Sequence, residues 1–194
     1  MLYGVVLAGG ASRRMGQDKA LMQFNGRTLI SHAAHLLEAA GCERVVVSRN
    51  KDGYISDKID DVGPLGGVHA VISEIMNDVS QTRLNDEISK IYEDELLVLP
   101  VDMLQMTPQF LSRLITLGRQ HQQACYVENR FLPFYLPVNT NTLTVLNAYL
   151  IDQSKRRVVG FLEQVNALVL SSLSCENEAQ WLNVNSPSDW PTSE

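Results

Sequence analysis

Residues 4–24 read GVVLAGGASRRMGQDKALMQF, an apolar run that ends at paired glycines and continues into a basic segment. The run GVVLA predicts a buried strand, because it is short, apolar and rich in valine. Glycines directly after a strand let the backbone approach a phosphate and present N–H groups to it. Asp18 is the only acidic residue of the stretch, whereas Arg13, Arg14 and Lys19 are cations. The stretch therefore predicts a loop that binds a triphosphate at the carboxyl end of the first strand.

Two common phosphate-binding motifs do not fit this loop. The dinucleotide fingerprint needs GxGxxG, whereas the loop reads GGASRRMG, and a P-loop needs GK followed by Ser or Thr, whereas Lys19 follows Asp18. Arg14 offers a planar guanidinium for bidentate phosphate contact, and Lys19 offers a compact charge. The alternative is a surface turn whose cations are only solvated.

The composition is typical of a soluble globular protein with a single domain over residues 1–194. Apolar residues make up 45% and charged residues 20%, and no apolar run reaches the roughly 18 residues of a membrane-spanning helix. We expect a cytoplasmic protein, because no basic residue precedes the apolar N-terminal stretch. The net charge of −6 argues against a nucleic-acid partner. The three cysteines contain no CxxC pair, so neither a disulfide framework nor a zinc site is predicted.

Alternating strands and helices predict a three-layer α/β/α, Rossmann-like fold with a mostly parallel sheet. Residues 28–40 predict a helix, RVVVS a second strand, and GPLGGVHAVISEIM a turn that leads into a helix. The strand ELLVLPVD follows, and TPQFLSRLITLGRQ predicts a helix capped by Thr107. The polar, acidic residues 77–95 predict a surface loop or an exposed helix.

The C-terminal third predicts less regular elements. ACYVENRFLPFYLPV predicts a pair of strands around a loop, and Pro133 and Pro137 restrict it to a sheet edge or a turn. NTLTVLNAYLI and RRVVGFLEQV predict helices, and WLNVN predicts a last short strand.

Asp102 follows the apolar strand ELLVLPV and would project into the same crevice as the glycine loop. A magnesium ion bound to phosphates takes one or two carboxylates and keeps several waters, so one strand-end Asp is a sufficient protein ligand. The alternative is an Asp that only forms a turn after the strand.

The sequence resembles the molybdenum cofactor guanylyltransferases, which join a guanine nucleotide to molybdopterin. LAGGASRRMGQDKA is similar to that family's LAGGxSxRMGxDKA motif, and GPLGG at 63–67, PVD at 100–102 and NVNSPSD at 183–189 resemble its later motifs, in the same order. The resemblance spans nearly the whole chain and implies a nucleotidyltransferase fold. It also implies Mg²⁺-dependent transfer of GMP from GTP to molybdopterin with release of pyrophosphate. The chain departs from the family at Ser48, where Asn is common, and at Leu132, where a His precedes the proline.

The resemblance also implies roles for individual residues. Arg14 and Lys19 would bind the triphosphate and stabilise charge as pyrophosphate leaves, and Asp102 would contact the nucleotide and hold magnesium. The residues that would line the nucleotide are Leu7, Ala8, Gly9 and Gly10.

A further nucleotide contact is an Asp before the GPLGG motif. The segment YISD resembles the family's short strand at this point, which makes Asp57 the candidate, although Asp60 and Asp61 compete for the alignment. Arg156 and its neighbour Arg157 match a basic pair that the family carries before a helix, and they would meet the anionic pterin.

Asn183 and Asn185 would face one side of a strand, because they alternate with Val184. There they would position the pterin phosphate or a metal-bound water, as the resemblance implies. The alternative is that Ser186, Pro187 and Asp189 form a helix cap and the asparagines only shape the turn.

We expect GTP and molybdopterin as substrates, transient contact with other proteins of molybdenum cofactor biosynthesis, and a monomer or a weak homo-oligomer. Two rival functions stay open. One is the same fold acting on CTP or on another phosphorylated acceptor, and the other is a nucleotide-binding module without turnover.

Overall fold

The computed structural model describes residues 1–9, 18–82, 94–171 and 177–190. A two-stranded ribbon of β2 (Gln23–Phe24) and β3 (Arg27–Thr28) follows the first loop. The described chain also contains a six-stranded sheet. Its strands are β1 (Leu2–Leu7), β4 (Arg44–Ser48), β5 (Asp94–Pro100), β6 (Cys125–Val127), β7 (Arg130–Val138) and β8 (Leu168–Leu170).

The strand order of the large sheet is β4-β1-β5-β7-β6-β8. β1 pairs in parallel with β4 and β5, β6 pairs in parallel with β8, and β7 is antiparallel to both of its neighbours. All strands of this sheet except β7 therefore run in one direction, which confirms the predicted mostly parallel sheet.

Helices cover both faces of the sheet, as predicted. The described α-helices are α1 (Leu29–Ala39), α2 (Pro64–Thr82), α3 (Pro108–His121), α4 (Thr140–Asn147) and α5 (Val158–Gln164). α1 and α3 pack on one face, and α2, α4 and α5 pack on the other. Neighbouring residues of β1 point to opposite faces, so Val5 belongs to one core and Val6 to the other.

The predicted helix starts are also confirmed. Thr28 caps α1, because its hydroxyl accepts the N–H of Ser31 at 3.2 Å. Thr107 caps α3 by accepting the N–H of Phe110 at 3.3 Å. α2 extends to Thr82, within the predicted loop or exposed helix of residues 77–95, and residues 83–93 lie outside the described chain.

The prediction for Pro133 and Pro137 was wrong, because β7 lies between β5 and β6 rather than at an edge. Pro137 pairs with Glu95 of β5 but lies beyond the residues of β7 that pair with β6. Pro133 falls where the pairing of β7 with β6 shifts register, so its missing N–H leaves no gap in a regular ladder.

The last predicted strand is also absent from the described residues. Trp181 ends a 3₁₀ turn, Glu178–Trp181, and its ring packs edge-on against Phe110 at a centroid distance of 5.1 Å. Val184 is buried, and its N–H donates to the carbonyl of Asp102 at 3.0 Å. Trp181 and Val184 thus pack into the core without forming a ladder, whereas Leu182 is exposed.

A polar cluster lies at the amino-terminal end of β5, around Glu95. The Arg119 guanidinium donates to both carboxylate oxygens of Glu95, with Nε at 2.8 Å and 3.1 Å. The Tyr135 hydroxyl donates to the same carboxylate at 2.5 Å. Among the described helices, none is long and apolar enough to cross a membrane.

Candidate active site

The carboxyl ends of β1, β4 and β5 lie side by side and form the floor of the candidate site. Leu7 pairs with Ser48 on one side and with Pro100 on the other. Beyond the strand, the Ala8 N–H donates to the Ser48 carbonyl at 2.9 Å, and the Val101 N–H donates to the Leu7 carbonyl at 3.1 Å. β1 therefore ends directly beside the segment that carries Asp102.

The structure places the predicted nucleotide-lining residues Leu7, Ala8 and Gly9 at this edge. Gly9 is exposed, and a Cβ added to it would meet no atom of the described residues within 4 Å. No described side chain therefore covers the backbone at this position. Gly10 and Arg14 lie outside the described residues.

Three predicted residues from distant parts of the chain meet above this floor. The Lys19 ammonium lies 3.1 Å from Asp102 Oδ2 and 3.3 Å from Asn185 Oδ1. Only 13% of the Lys19 side chain and 20% of the Asp102 side chain are exposed. Lys19 belongs to the short 3₁₀ turn Lys19–Leu21, and Asp102 lies two residues after β5.

The second carboxylate oxygen of Asp102 is the feature that fits a metal ion. Oδ1 is buried and accepts no hydrogen bond from the described residues. A buried carboxylate oxygen without a donor is costly, and a cation satisfies it. The described chain contains no cluster of three or more His, Cys, Asp or Glu side chains that could hold a metal alone. The donor set therefore fits Mg²⁺ bound together with phosphate oxygens and water.

A buried arginine that sequence reasoning missed lies beside the first loop. The Arg49 guanidinium donates to Asp18 Oδ2, and the Arg49 residue is only 6% exposed. Its Cζ lies 5.3 Å from the centroid of the Tyr54 ring, within cation–π range. The available signal was its position directly after RVVVS, at the same edge as the glycine loop.

Asp57 is joined to the end of β4 by a two-way contact with Asn50. The Asp57 N–H donates to Asn50 Oδ1 at 2.7 Å, and Asn50 Nδ2 donates to Asp57 Oδ2 at 3.3 Å. The competing Asp60 and Asp61 are exposed, whereas Asp57 is half-buried. Of the three carboxylates, Asp57 is the one that these contacts attach to the floor of the site.

Two glycines at the start of α2 allow this close arrangement. A Cβ at Gly66 would lie 3.1 Å from Asp57 Cγ, and a Cβ at Gly67 would lie 2.9 Å from the Ser48 Cβ and 3.0 Å from Leu7 Cδ2. The GPLGG motif thus brings the first turn of α2 against β1 and β4. Ser48, where the resemblance leads us to expect Asn, packs against this helix and is 3% exposed.

The structure forms the cap that the alternative reading of NVNSPSD predicts, whereas the strand predicted to carry Asn183 and Asn185 is absent from the described residues. Asp189 Oδ2 accepts the N–H groups of Asn185 at 2.9 Å and Ser186 at 2.8 Å, as the capping alternative predicts. The Asn185 N–H, followed by the Ser186 hydroxyl and N–H, lowers the pKa of the Asp189 carboxyl. The Asn185 side chain nevertheless reaches Lys19, whereas Asn183 is exposed.

Arg156 and Arg157 are exposed and precede α5. A cavity of about 530 Å³ lies nearby, lined by Arg157 together with Lys155, Tyr149 and Phe131. Phe131 is near the start of β7, which begins at the edge where β5 ends, because these two strands are antiparallel. Two cations, two aromatic side chains and the Glu163 carboxylate therefore line this cavity, and Phe131 places it toward the end of the sheet that carries Asp102.

Residues 4–166 match the family model described as the MobA-like NTP transferase domain. The chain is 32% identical over 189 residues to the molybdenum cofactor guanylyltransferase of Xanthomonas euvesicatoria, covering 96% of this chain and 91% of the relative. It is 24% identical over 203 residues to a probable molybdenum cofactor guanylyltransferase of Methanothermobacter thermautotrophicus, covering 95% and 94%. Its fold is similar to the crystal structure of molybdopterin-guanine dinucleotide biosynthesis protein A from Archaeoglobus fulgidus. That comparison has a TM-score of 0.70 and 20% identity over 96% of this chain and 94% of the other.

Proposed function

Because the chain belongs to the MobA-like NTP transferase family, it is a nucleotidyltransferase, and we propose that it transfers GMP from GTP to molybdopterin. The observation that carries the proposal is the meeting of Lys19 with Asp102 at the end of β5, where Asp102 keeps a buried oxygen free for a cation. A cation and a metal-binding carboxylate at one sheet edge are what the transfer of a nucleotide from its triphosphate needs.

The transfer forms one bond and breaks one. A phosphate oxygen of molybdopterin attacks the α-phosphorus of GTP, and the bond from that phosphorus to the bridging oxygen of pyrophosphate breaks. The attacking phosphate monoester is already anionic near neutral pH, so no general base is required. Catalysis then depends on positioning and on stabilising the charge of the leaving group.

Lys19 is the residue to which we assign that stabilisation. Its ammonium is held by Asp102 and Asn185, within a short turn directly after the glycine loop. A triphosphate bound to the loop competes for this ammonium, since its oxygens carry more charge than one carboxylate. Arg14 serves the same purpose in the proposal.

Asp102 would hold Mg²⁺ through its unpaired Oδ1, with phosphate oxygens and water completing the coordination. The ion, when bound, supplies positive charge that neutralises the triphosphate. The part played by the chain itself is to hold the carboxylate rigidly, because the Val101 and Val184 N–H groups fix the backbone on both sides of it.

Asp57 supports guanine as the base. An ionised carboxylate only accepts hydrogen bonds, and guanine is the common base that presents two adjacent donors, N1–H and the 2-amino group. Adenine and cytosine place an acceptor nitrogen beside their amino group, which a carboxylate repels. Asn50 holds Asp57 in place at the end of β4 and supports this selection.

An anionic acceptor fits the basic segment that precedes α5. Lys155 and Arg157 line a cavity near the edge of the sheet, and Arg156 is exposed between them. We therefore propose that molybdopterin approaches from this side, with Asn183 and Asn185 on the opposite flank.

Calorimetric binding of GTP, CTP and ATP, with and without magnesium, tests the nucleotide half of the proposal. We expect selective binding of GTP that magnesium strengthens. Pyrophosphate release on addition of molybdopterin then tests the transfer. Preference for CTP would favour the rival transferase, and GTP binding without pyrophosphate release would favour a module without turnover.

A further inference from the structure

We propose that Arg49 is a positioning residue for Lys19: its buried guanidinium holds the Asp18 carboxylate and cancels the negative charge next to the phosphate loop. The inference rests on the proposed function, because Lys19 matters through its contact with the triphosphate. None of the motifs in the sequence pointed to Arg49.

Asp18 links the arginine to the lysine through the backbone. Its Oδ1 accepts the Ala20 N–H at 3.3 Å and so caps the 3₁₀ turn that begins at Lys19. Its Oδ2 accepts from the Arg49 guanidinium. One carboxylate therefore connects the end of β4 to the turn whose first side chain reaches Asp102.

Charge gives Arg49 a second role. Asp18 is the only acidic residue between Gly4 and Phe24, and 39% of its side chain is exposed. Without a partner, this carboxylate would repel a triphosphate bound one or two residues away. Arg49 offsets that charge from within the fold, since only 7% of its own side chain is exposed.

Arg44, at the other end of β4, offers a matched control. Its guanidinium also lies over a tyrosine, with Cζ 5.9 Å from the centroid of Tyr3, compared with 5.3 Å for Arg49 over Tyr54. Arg44 begins β4 and Arg49 directly follows its last residue, and each has a tyrosine as its stacking partner. Arg44 is exposed whereas Arg49 is buried and pairs with Asp18, so the same substitution at each position separates this pairing from the loss of net charge and of tyrosine stacking.

The kinetic test compares Arg49→Met, Asp18→Asn, the double variant and Arg44→Met. We expect Arg49→Met to raise KM for GTP and lower kcat, with kcat/KM reduced about tenfold or more. In the double variant KM should return toward the wild-type value, because the repelling charge is gone, while kcat stays low. Arg49→Lys should keep KM near wild type, since it retains the charge.

An activity-independent measurement accompanies the kinetics. The Lys19 side chain is 13% exposed, whereas Lys58 is an exposed lysine of the same chain. Labelling by an amine-reactive ester, read by mass spectrometry, should show the Lys19-to-Lys58 ratio rise several-fold in Arg49→Met and stay constant in Arg44→Met. Thermal melts of each variant verify that it is folded, and Arg49→Gln, which also removes the charge, replaces Arg49→Met if the latter is not.

The outcomes distinguish the two proposals. If the wild-type chain releases no pyrophosphate, the proposed function fails, and the labelling ratio still tests whether Arg49 positions Lys19. If the wild type is active but Arg49→Met matches Arg44→Met in kinetics and labelling, the positioning role is wrong. Equal KM values for Arg49→Met and the double variant would refute the charge compensation.

Discussion

Gly67→Ala tests whether the close packing of α2 against the sheet builds the nucleotide site. The new methyl group would lie 2.9 Å from the Ser48 Cβ and 3.0 Å from Leu7 Cδ2, and still closer to the Ser48 hydroxyl. Leu7 belongs to the interior strand β1 and Ser48 to the edge strand β4. Both residues are fixed by strand pairing, so they cannot move away freely. Overpacking of this kind costs about 1–3 kcal/mol, and the better helix propensity of alanine returns up to about 1 kcal/mol.

The expected net loss is about 1–2 kcal/mol, which lowers Tm by about 3–6 °C in a domain of this size. Urea unfolding and calorimetric GTP binding measure the two consequences, because the displaced Leu7 is a proposed nucleotide contact. Ser48→Gly removes the nearest clashing atoms, so the double variant Gly67→Ala/Ser48→Gly should be more stable than the sum of the single effects predicts. A Gly67→Ala protein as stable as wild type, or strictly additive effects, would refute the packing argument.

Three further perturbations follow from the contacts. Lys19→Ala should lower kcat about 100-fold with a smaller effect on GTP binding, and equal losses in both would contradict its role at the leaving group. Asp102→Asn should raise the magnesium concentration for half-maximal activity about tenfold or more, and an unchanged requirement would remove Asp102 as the metal ligand. Burial raises the pKa of the Glu95 carboxyl, but hydrogen bonds from Arg119 and Tyr135 outweigh it and hold that pKa below its ordinary 4.5. The stabilisation is therefore present above pH 4.5 and lost as pH falls through the lowered value. Glu95→Gln should cost about 1–2 kcal/mol at pH 7 and progressively less as the pH falls below 4.5, measured by urea unfolding; a deficit that does not change with pH would contradict this.

The alternation of strands and helices was predictable because each element carries its own local signal. The apolar run that forms β5 fills both faces of the sheet, and Thr28 and Thr107 cap the helices that follow them. β8 was not predicted, because a strand of three residues has no periodicity to recognise. The equally short β6 was predicted only as part of the longer segment that also contains β7. The position of β7 was misjudged because its register, which accommodates both prolines, is a property of the assembled sheet.

In the site, too, some residues were predictable from the local sequence, whereas others depend on contacts between distant parts of the chain. Lys19 and Asp102 each follow a recognisable segment, so the sequence could nominate them although it could not show that they touch. Arg49 has no such segment, because its partner Asp18 is 31 residues earlier and the contact exists only after β1 and β4 have paired. Asp57 could be separated from Asp60 and Asp61 only by its contact with Asn50.

The contact between Lys19 and Asn185 has a consequence for the order in which the protein is made. The two residues are 166 positions apart, so at about 5–20 residues per second the ribosome adds Asn185 roughly 10–30 s after Lys19. The last strand of the large sheet ends at Leu170, before that residue is translated. A chain truncated after Leu170 would therefore contain every strand of this sheet but would lack the Asn185 contact with Lys19 and the Val184 hydrogen bond to the Asp102 carbonyl. It would also lose the buried side chains of Trp181 and Val184, so both the position of the lysine and the packing beside α3 depend on residues translated after the sheet.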